Sequence, residues 1–155
     1  MIAASRWALP ALLFMGIRGQ VPTFSFAGIG LSSDFQAVAA RYPHSSPQGN
    51  YLSLAPEDMH DHISAIEVSG TGSTRRIRIA FEIPMASGQP EYPGCATVEA
   101  KVTDQYGRPQ AIHRFSEEAS PRADRIWRSR TEELTLICFA ERGRLWAEAV
   151  QITPR

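Results

Sequence analysis

The stretch "RIRIAFEI", residues 76 to 83, alternates without a fault between apolar and polar side chains. Ile77, Ile79, Phe81 and Ile83 fall on one side, and Arg76, Arg78, Ala80 and Glu82 fall on the other. Successive side chains of a strand point to opposite faces, so this run is a strand with one face in a core and one in water. Strands of parallel sheets are covered on both faces and read as continuous apolar runs. The alternation therefore predicts an antiparallel sheet with one open side.

Other segments extend that sheet. "SAIEV" lies upstream and is joined to the first strand by the turn-rich "SGTGST", which makes a hairpin. Near the C-terminus "ELTLICFAE" and "RLWAEAVQI" flank Arg142-Gly143 and make a second hairpin. "ADRIWRS", "NYLSL" and "AIHRF" are further strand candidates, and 85 to 94 and 116 to 124 read as loops. Two helices are legible. Ser33 and Gln36 form an S-x-x-Q capping box ahead of Phe35, Val38, Ala39 and Tyr42, and Pro43 ends that helix. The second opens near Gly94, carries the stripe Val98, Val102 and Tyr106, and stops at Gly107, with Pro109 beyond. Helix, strand, strand, strand runs once and then again. Tyr42-Pro43 answers Tyr106-Gly107, "SAIEV" answers "ADRIW", and "RIRIAFE" answers "LTLICFA", with a period of about 60 residues. The expected fold is α+β: an antiparallel sheet of about five to seven strands with two helices on one face. It reads as a tandem pair of half-units, 31 to 84 and 94 to 152.

Length and charge bound the rest. A chain of 155 residues with 43% apolar and 21% charged side chains is one globular domain. Its formal net charge of zero supplies no field for nucleic acid or an anionic membrane, so no nucleic-acid partner is expected. Fifteen arginines stand against a single lysine, Lys101. Residues 1 to 27 contain no acid, carry Arg6 early, and run apolar from Trp7 to Ile17 before the small residues of "SFA", Ser25 to Ala27. That is a signal-peptide pattern, leaving 28 to 155 as the folded domain in the periplasm or outside the cell. The apolar run contains Pro10 and falls short of the roughly 20 residues of a spanning helix, so no integral membrane insertion is expected after cleavage. In an oxidising compartment Cys95 and Cys138 most simply form one disulfide; in a reducing one they would be buried thiols.

The "YGRP" helix ending, Trp127 and the "LTLICF" strand give the chain a loose pattern that resembles small exported bacterial α+β domains. These are the β-lactamase inhibitor proteins, built as a tandem pair, and the outer-membrane-assembly protein BamE. The likeness covers most of residues 31 to 152. It implies a binding or scaffolding role without catalysis. The lipidated cysteine of the BamE kind is missing, and no inhibitory residue carries over.

Two candidate sites follow. The first is cationic. Arg76 and Arg78 share one strand face, and Arg128 and Arg130 share another; on neighbouring strands they would form a patch on the open face for an acidic protein or envelope component. The second is "PEDMHDHIS", residues 56 to 64. On an extended backbone Asp58, His60 and His62 share a face and make a three-ligand set of the kind catalytic zinc uses, which defines the alternative, a small metal-dependent hydrolase. If Pro56-Glu57-Asp58 instead opens a short helical turn, the histidines point apart and no chelate exists. The G-x-S-x-G, H-E-x-x-H, P-loop and Rossmann patterns do not occur, so no catalytic residue and no cofactor is expected. The adjacent carboxylates Glu117-Glu118 and Glu132-Glu133 read as solvated charges, since neighbouring side chains diverge.

Overall fold

The computed structural model describes residues 23 to 84, 88, 90 to 116 and 121 to 155. Among these residues the chain begins with β1 (Ser25–Phe26), β2 (Ile29–Gly30), α1 (Phe35–Ala40), β3 (Ser46–Gln48) and β4 (Tyr51–Ser53). A short 3₁₀ turn at Pro56–Asp58 leads to β5 (Ile63–Ser69), and another at Gly72–Thr74 leads to β6 (Arg76–Phe81). Then come β7 (Ile83–Pro84), β8 (Pro90–Glu91), α2 (Cys95–Tyr106), β9 (Ala111–Phe115), β10 (Arg122–Arg128), β11 (Glu132–Glu141) and β12 (Arg144–Pro154). Eight strands make one antiparallel sheet in the order β3-β4-β5-β6-β12-β11-β10-β9, and β1-β2 and β7-β8 pair separately.

The α+β class stands, but the sheet is wider than five to seven strands. The strand without a sequence signal is β3. Its residues, Ser46, Pro47 and Gln48, are all exposed at the sheet edge, so no apolar alternation marks it. Pro47 cannot donate to a neighbour, which suits an edge. Missing β3 also misaligned the expected half-units. Each helix is followed by four antiparallel strands, and the two sets meet where β6 pairs β12, with Ile77 opposite Ile152 and Ala80 opposite Ala149. Counted from that seam, "SAIEV" occupies the place of "LTLICF", and "RIRIAF" the place of "RLWAEAVQI".

The main core cluster lies on one face. Leu52, Ile66, Ile79, Val150 and Leu136 face one another across five strands, each fully buried. Val68, Ile77, Ile152, Leu134 and Trp127 form the next row. Burying one such side chain stabilises by about 1.5–3 kcal/mol, so these rows hold the sheet together. Val98 and Val102 of α2 and Val38 of α1 join the same cluster. The Cys95–Cys138 disulfide ties α2 to β11, and Glu99 accepts from Arg125 of β10 at 2.8 Å.

The two expected helices are present, and the cover they give is uneven. α1 has six residues and is capped by Asp34, whose side chain accepts the Gln36 N–H at 3.0 Å. The Ser33 hydroxyl accepts from Gly30 instead, so the Ser33–Gln36 box does not form. The β1-β2 hairpin fills the gap with Phe24, Phe26 and Ile29. Phe26 meets Phe81 edge-on at 5.5 Å, and Phe24 meets Tyr106 at 5.0 Å. A Cβ at Gly30 would come within 2.6 Å of the Phe24 carbonyl oxygen, so the hairpin closes only with glycine there. The expected domain start at residue 28 thus falls inside a core hairpin; the earlier part of that expected leader, 1 to 22, lies outside the described residues.

Candidate binding face

The sheet face away from the helices is mixed: polar rows surround an apolar patch of Ile126, Ile137 and Ala149, all buried. Tyr51, Glu67, Arg78, Gln151, Thr135 and Ile126 form one row across six strands. Three of the face's arginines, Arg128, Arg122 and Arg78, are held by carboxylates. Arg128 Nε donates to Glu133 Oε2 at 2.8 Å. Arg122 grips Asp124 through two bonds of 2.7 Å, and its guanidinium lies 5.5 Å from the Phe115 ring centre. Arg78 Nη2 donates to Glu148 Oε1 at 2.5 Å. Glu148 is available because the β11–β12 register shifts, pairing Ile137 with Ala149 but Cys138 with Ala147, so Glu148 is the extra residue of a bulge. Half-exposed pairs of this kind add little stability, about 0–1 kcal/mol each. What they do is fix long side chains in one geometry, which lowers the ordering cost of a later contact.

The four arginines singled out by sequence do not converge. Arg76, Arg78 and Arg128 share the open face, but β12 and β11 separate the first two from the third. Arg130 lies past the end of β10 and is exposed. Arg78 and Arg128 are ion-paired, so the face is amphoteric where a cationic patch was expected. Trp127 is fully buried on the helix side, with its Nε1–H donated to the Gly107 carbonyl at 2.8 Å. Sequence reading missed Tyr51 and Phe115, 43% and 41% exposed, which flank the open face on β4 and β9. The period-2 pattern of "YLS" around buried Leu52 points Tyr51 outward and could have found it. At one end of the face Tyr92 meets Phe139 edge-on at 5.1 Å. Burial raises the Tyr92 hydroxyl above its ordinary pKa, and Glu82 and Glu148 raise it further, against the lowering effect of Arg78.

The histidine segment is not extended. Pro56–Asp58 forms the 3₁₀ turn, and His60 to Ile63 form a tight turn closed by the Ile63 N–H donating to the His60 carbonyl at 3.0 Å. Asp61 and His62 both take left-handed backbone, φ 55° and 63°, the type I′ pattern. Asp58 is buried and serves His44, accepting its backbone N–H at 2.7 Å and lying 3.1 Å from its Nδ1. Asp61 pairs with Lys101 of α2. Asp58, His60 and His62 therefore do not assemble the chelate of the alternative reading, and no group of three metal-binding side chains occurs among the described residues. Glu117 and Glu118 lie outside those residues. Glu133 is bound to Arg128 and Glu132 is buried, so neither is the solvated charge that was expected.

Comparison of the chain with known protein families, characterised proteins and solved structures finds no match. No helix among the described residues is long and apolar enough to cross a membrane.

Proposed function

We propose that the protein is a non-catalytic exported module that binds a protein or cell-envelope partner through its open sheet face. One observation carries this reading. The main core and both helices occupy one side of the sheet, while the other side presents ion-paired arginines around a buried Ile126–Ile137 patch and is edged by exposed aromatics. Aromatic and arginine side chains are the groups that anchor interfaces, and Arg78, Arg122 and Arg128 are already held by ion pairs. Helix plus four strands, occurring twice and joined at the β6–β12 seam, supports the tandem half-unit reading and with it the resemblance to β-lactamase inhibitor proteins. The disulfide supports export to the periplasm or beyond.

The test uses the disulfide-intact protein as bait on a native envelope fraction, beside a variant carrying Tyr51→Ala, Arg76→Glu and Phe115→Ala. Lys101→Ala on the helix side is the control. The reading expects a saturable partner that the control retains and the triple variant loses. A partner held equally by all three baits would place binding elsewhere.

A further inference from the structure

Glu132 opens β11 at 8% exposure, and among the described residues no Lys, Arg or His lies within ion-pair distance of its carboxylate. Arg155, at the same end of the sheet, donates to the Ser129 carbonyl instead. A buried carboxylate without a countercharge is unfavourable, because the protein returns little of the hydration it lost. The donor that does reach it is the backbone N–H of Phe24, 2.7 Å from Oε2. Among the described residues Phe24 is also the first to enter the core. Thr23 is exposed, whereas Phe24 is buried against Tyr106. Ser25 is held at both ends, its N–H donating to the Tyr106 hydroxyl at 2.8 Å and its carbonyl accepting from that hydroxyl at 2.9 Å.

We infer that the Thr23–Phe24 bond is the processing junction of the exported chain, and that the α-ammonium of the new N-terminus is the countercharge of Glu132. The inference rests on the export reading above. Hydrolysis breaks the Thr23–Phe24 C–N bond. Water supplies the oxygen of the Thr23 carboxylate, and the Phe24 nitrogen becomes an amine that is protonated at neutral pH. The backbone nitrogen already sits at hydrogen-bond distance from Glu132, so the reaction converts a neutral donor into a cationic one without moving it. Cleavage precedes folding, so the bond needs no exposure in the finished fold. Val21 and Thr23 supply short side chains at the −3 and −1 positions. A cut after Ala27 would instead remove Phe24 and Phe26 from the core, strip the Tyr106 contacts, and leave Glu132 without its donor.

The experiment has two arms. Intact mass and N-terminal sequencing of natively isolated protein are expected to give Phe24 as the first residue. In parallel, urea unfolding compares the full chain with a chain released at Phe24 without extra residues, each with Glu132 and with Glu132→Gln. The Phe24 chain is expected to fold with a roughly tenfold larger equilibrium constant. That gain disappears in Glu132→Gln and when the α-amine of the Phe24 chain is acetylated, which leaves the side chain intact. A native start at Gly28 overturns the junction while leaving export standing. An uncut chain with two free thiols overturns both, and equal unfolding of the four proteins overturns the ion pair.

Discussion

Three side chains show how position decides chemistry. His62 sits at φ 63° in the second central position of its turn, a conformation that costs most residues about 1–2 kcal/mol and glycine nothing. Asp-Gly is a favoured pair for that turn, so His62→Gly is expected to stabilise by about 0.5 kcal/mol after the entropic cost of glycine. An increase in the urea midpoint checks it. A fall, or a zinc-dependent rise in melting temperature that the variant abolishes, would instead give the imidazole a ligand role. Tyr92 gives a prediction with a sign. Its hydroxyl is raised by burial and by Glu82 and Glu148, so the unfolded chain releases this proton at lower pH than the native state does. The contribution is neutral below about pH 10 and destabilises as pH rises from the unfolded value through the raised native one. Tyr92→Phe should flatten the alkaline part of the stability curve relative to wild type; an unchanged slope would mean the ring titrates as it does in water. Trp127, by contrast, is a core residue with one polar handle, its Nε1–H donated to the Gly107 carbonyl.

At the scale of elements, legibility followed burial on one face. β6 was readable because Ile77, Ile79 and Phe81 enter the core while Arg76 and Arg78 do not. The end of α2 was readable because Gly107 takes φ 78° and closes the helix on Thr103, a job that residue type performs almost alone. β3 was not readable, since a strand exposed on both faces at an edge has no period to show. β1 and β2 were hidden for the opposite reason. Their short apolar run continues the composition of residues 1 to 22 ahead of it, and tertiary contacts with Phe81, Tyr106 and Glu132 mark the hairpin as part of the fold. Arg76, Arg78 and Arg128 were legible as to face, but the pairing of Arg78 and Arg128 was not, because Glu133 lies on another strand and Glu148 on a bulge. The disulfide was legible as a pairing, and its effect is calculable. It closes 43 residues between the start of α2 and the middle of β11. In the chain-entropy model that constrains the unfolded state by about 4 kcal/mol. Cys95→Ser with Cys138→Ser is therefore expected to lower the unfolding free energy by several kcal/mol, with α2 the first element to lose amide protection. Unchanged denaturation curves would show that α2 is held by Val98, Val102 and the Glu99–Arg125 pair alone.

Over the whole molecule, the seam between β6 and β12 decides whether the two halves are separable. Each half has one helix and four strands, which invites independent folding. Yet the core rows run through the seam without a break: Ile66 and Ile79 on one side continue into Val150 and Leu136 on the other, and all four are fully buried. A half cut at the seam would expose Ile77 and Ile79, or Val150 and Ile152, along with an unpaired strand edge. Either half alone also falls near the size at which a single core is marginal. The sheet should therefore unfold as one unit. In a chain starting at Phe24, which lacks Trp7, tryptophan fluorescence reports the second half through Trp127 and Trp146, and amide exchange of β5 reports the first. Both are expected to give the same midpoint and slope in urea. Val150→Ala, a seam deletion that leaves a cavity, should shift both probes together by about 1–3 kcal/mol. Probes that separate, with β5 losing protection at a lower urea concentration than the tryptophans, would make the halves two folding units joined at a weak boundary. The open face would then be a hinge, where the continuous core rows require one rigid surface.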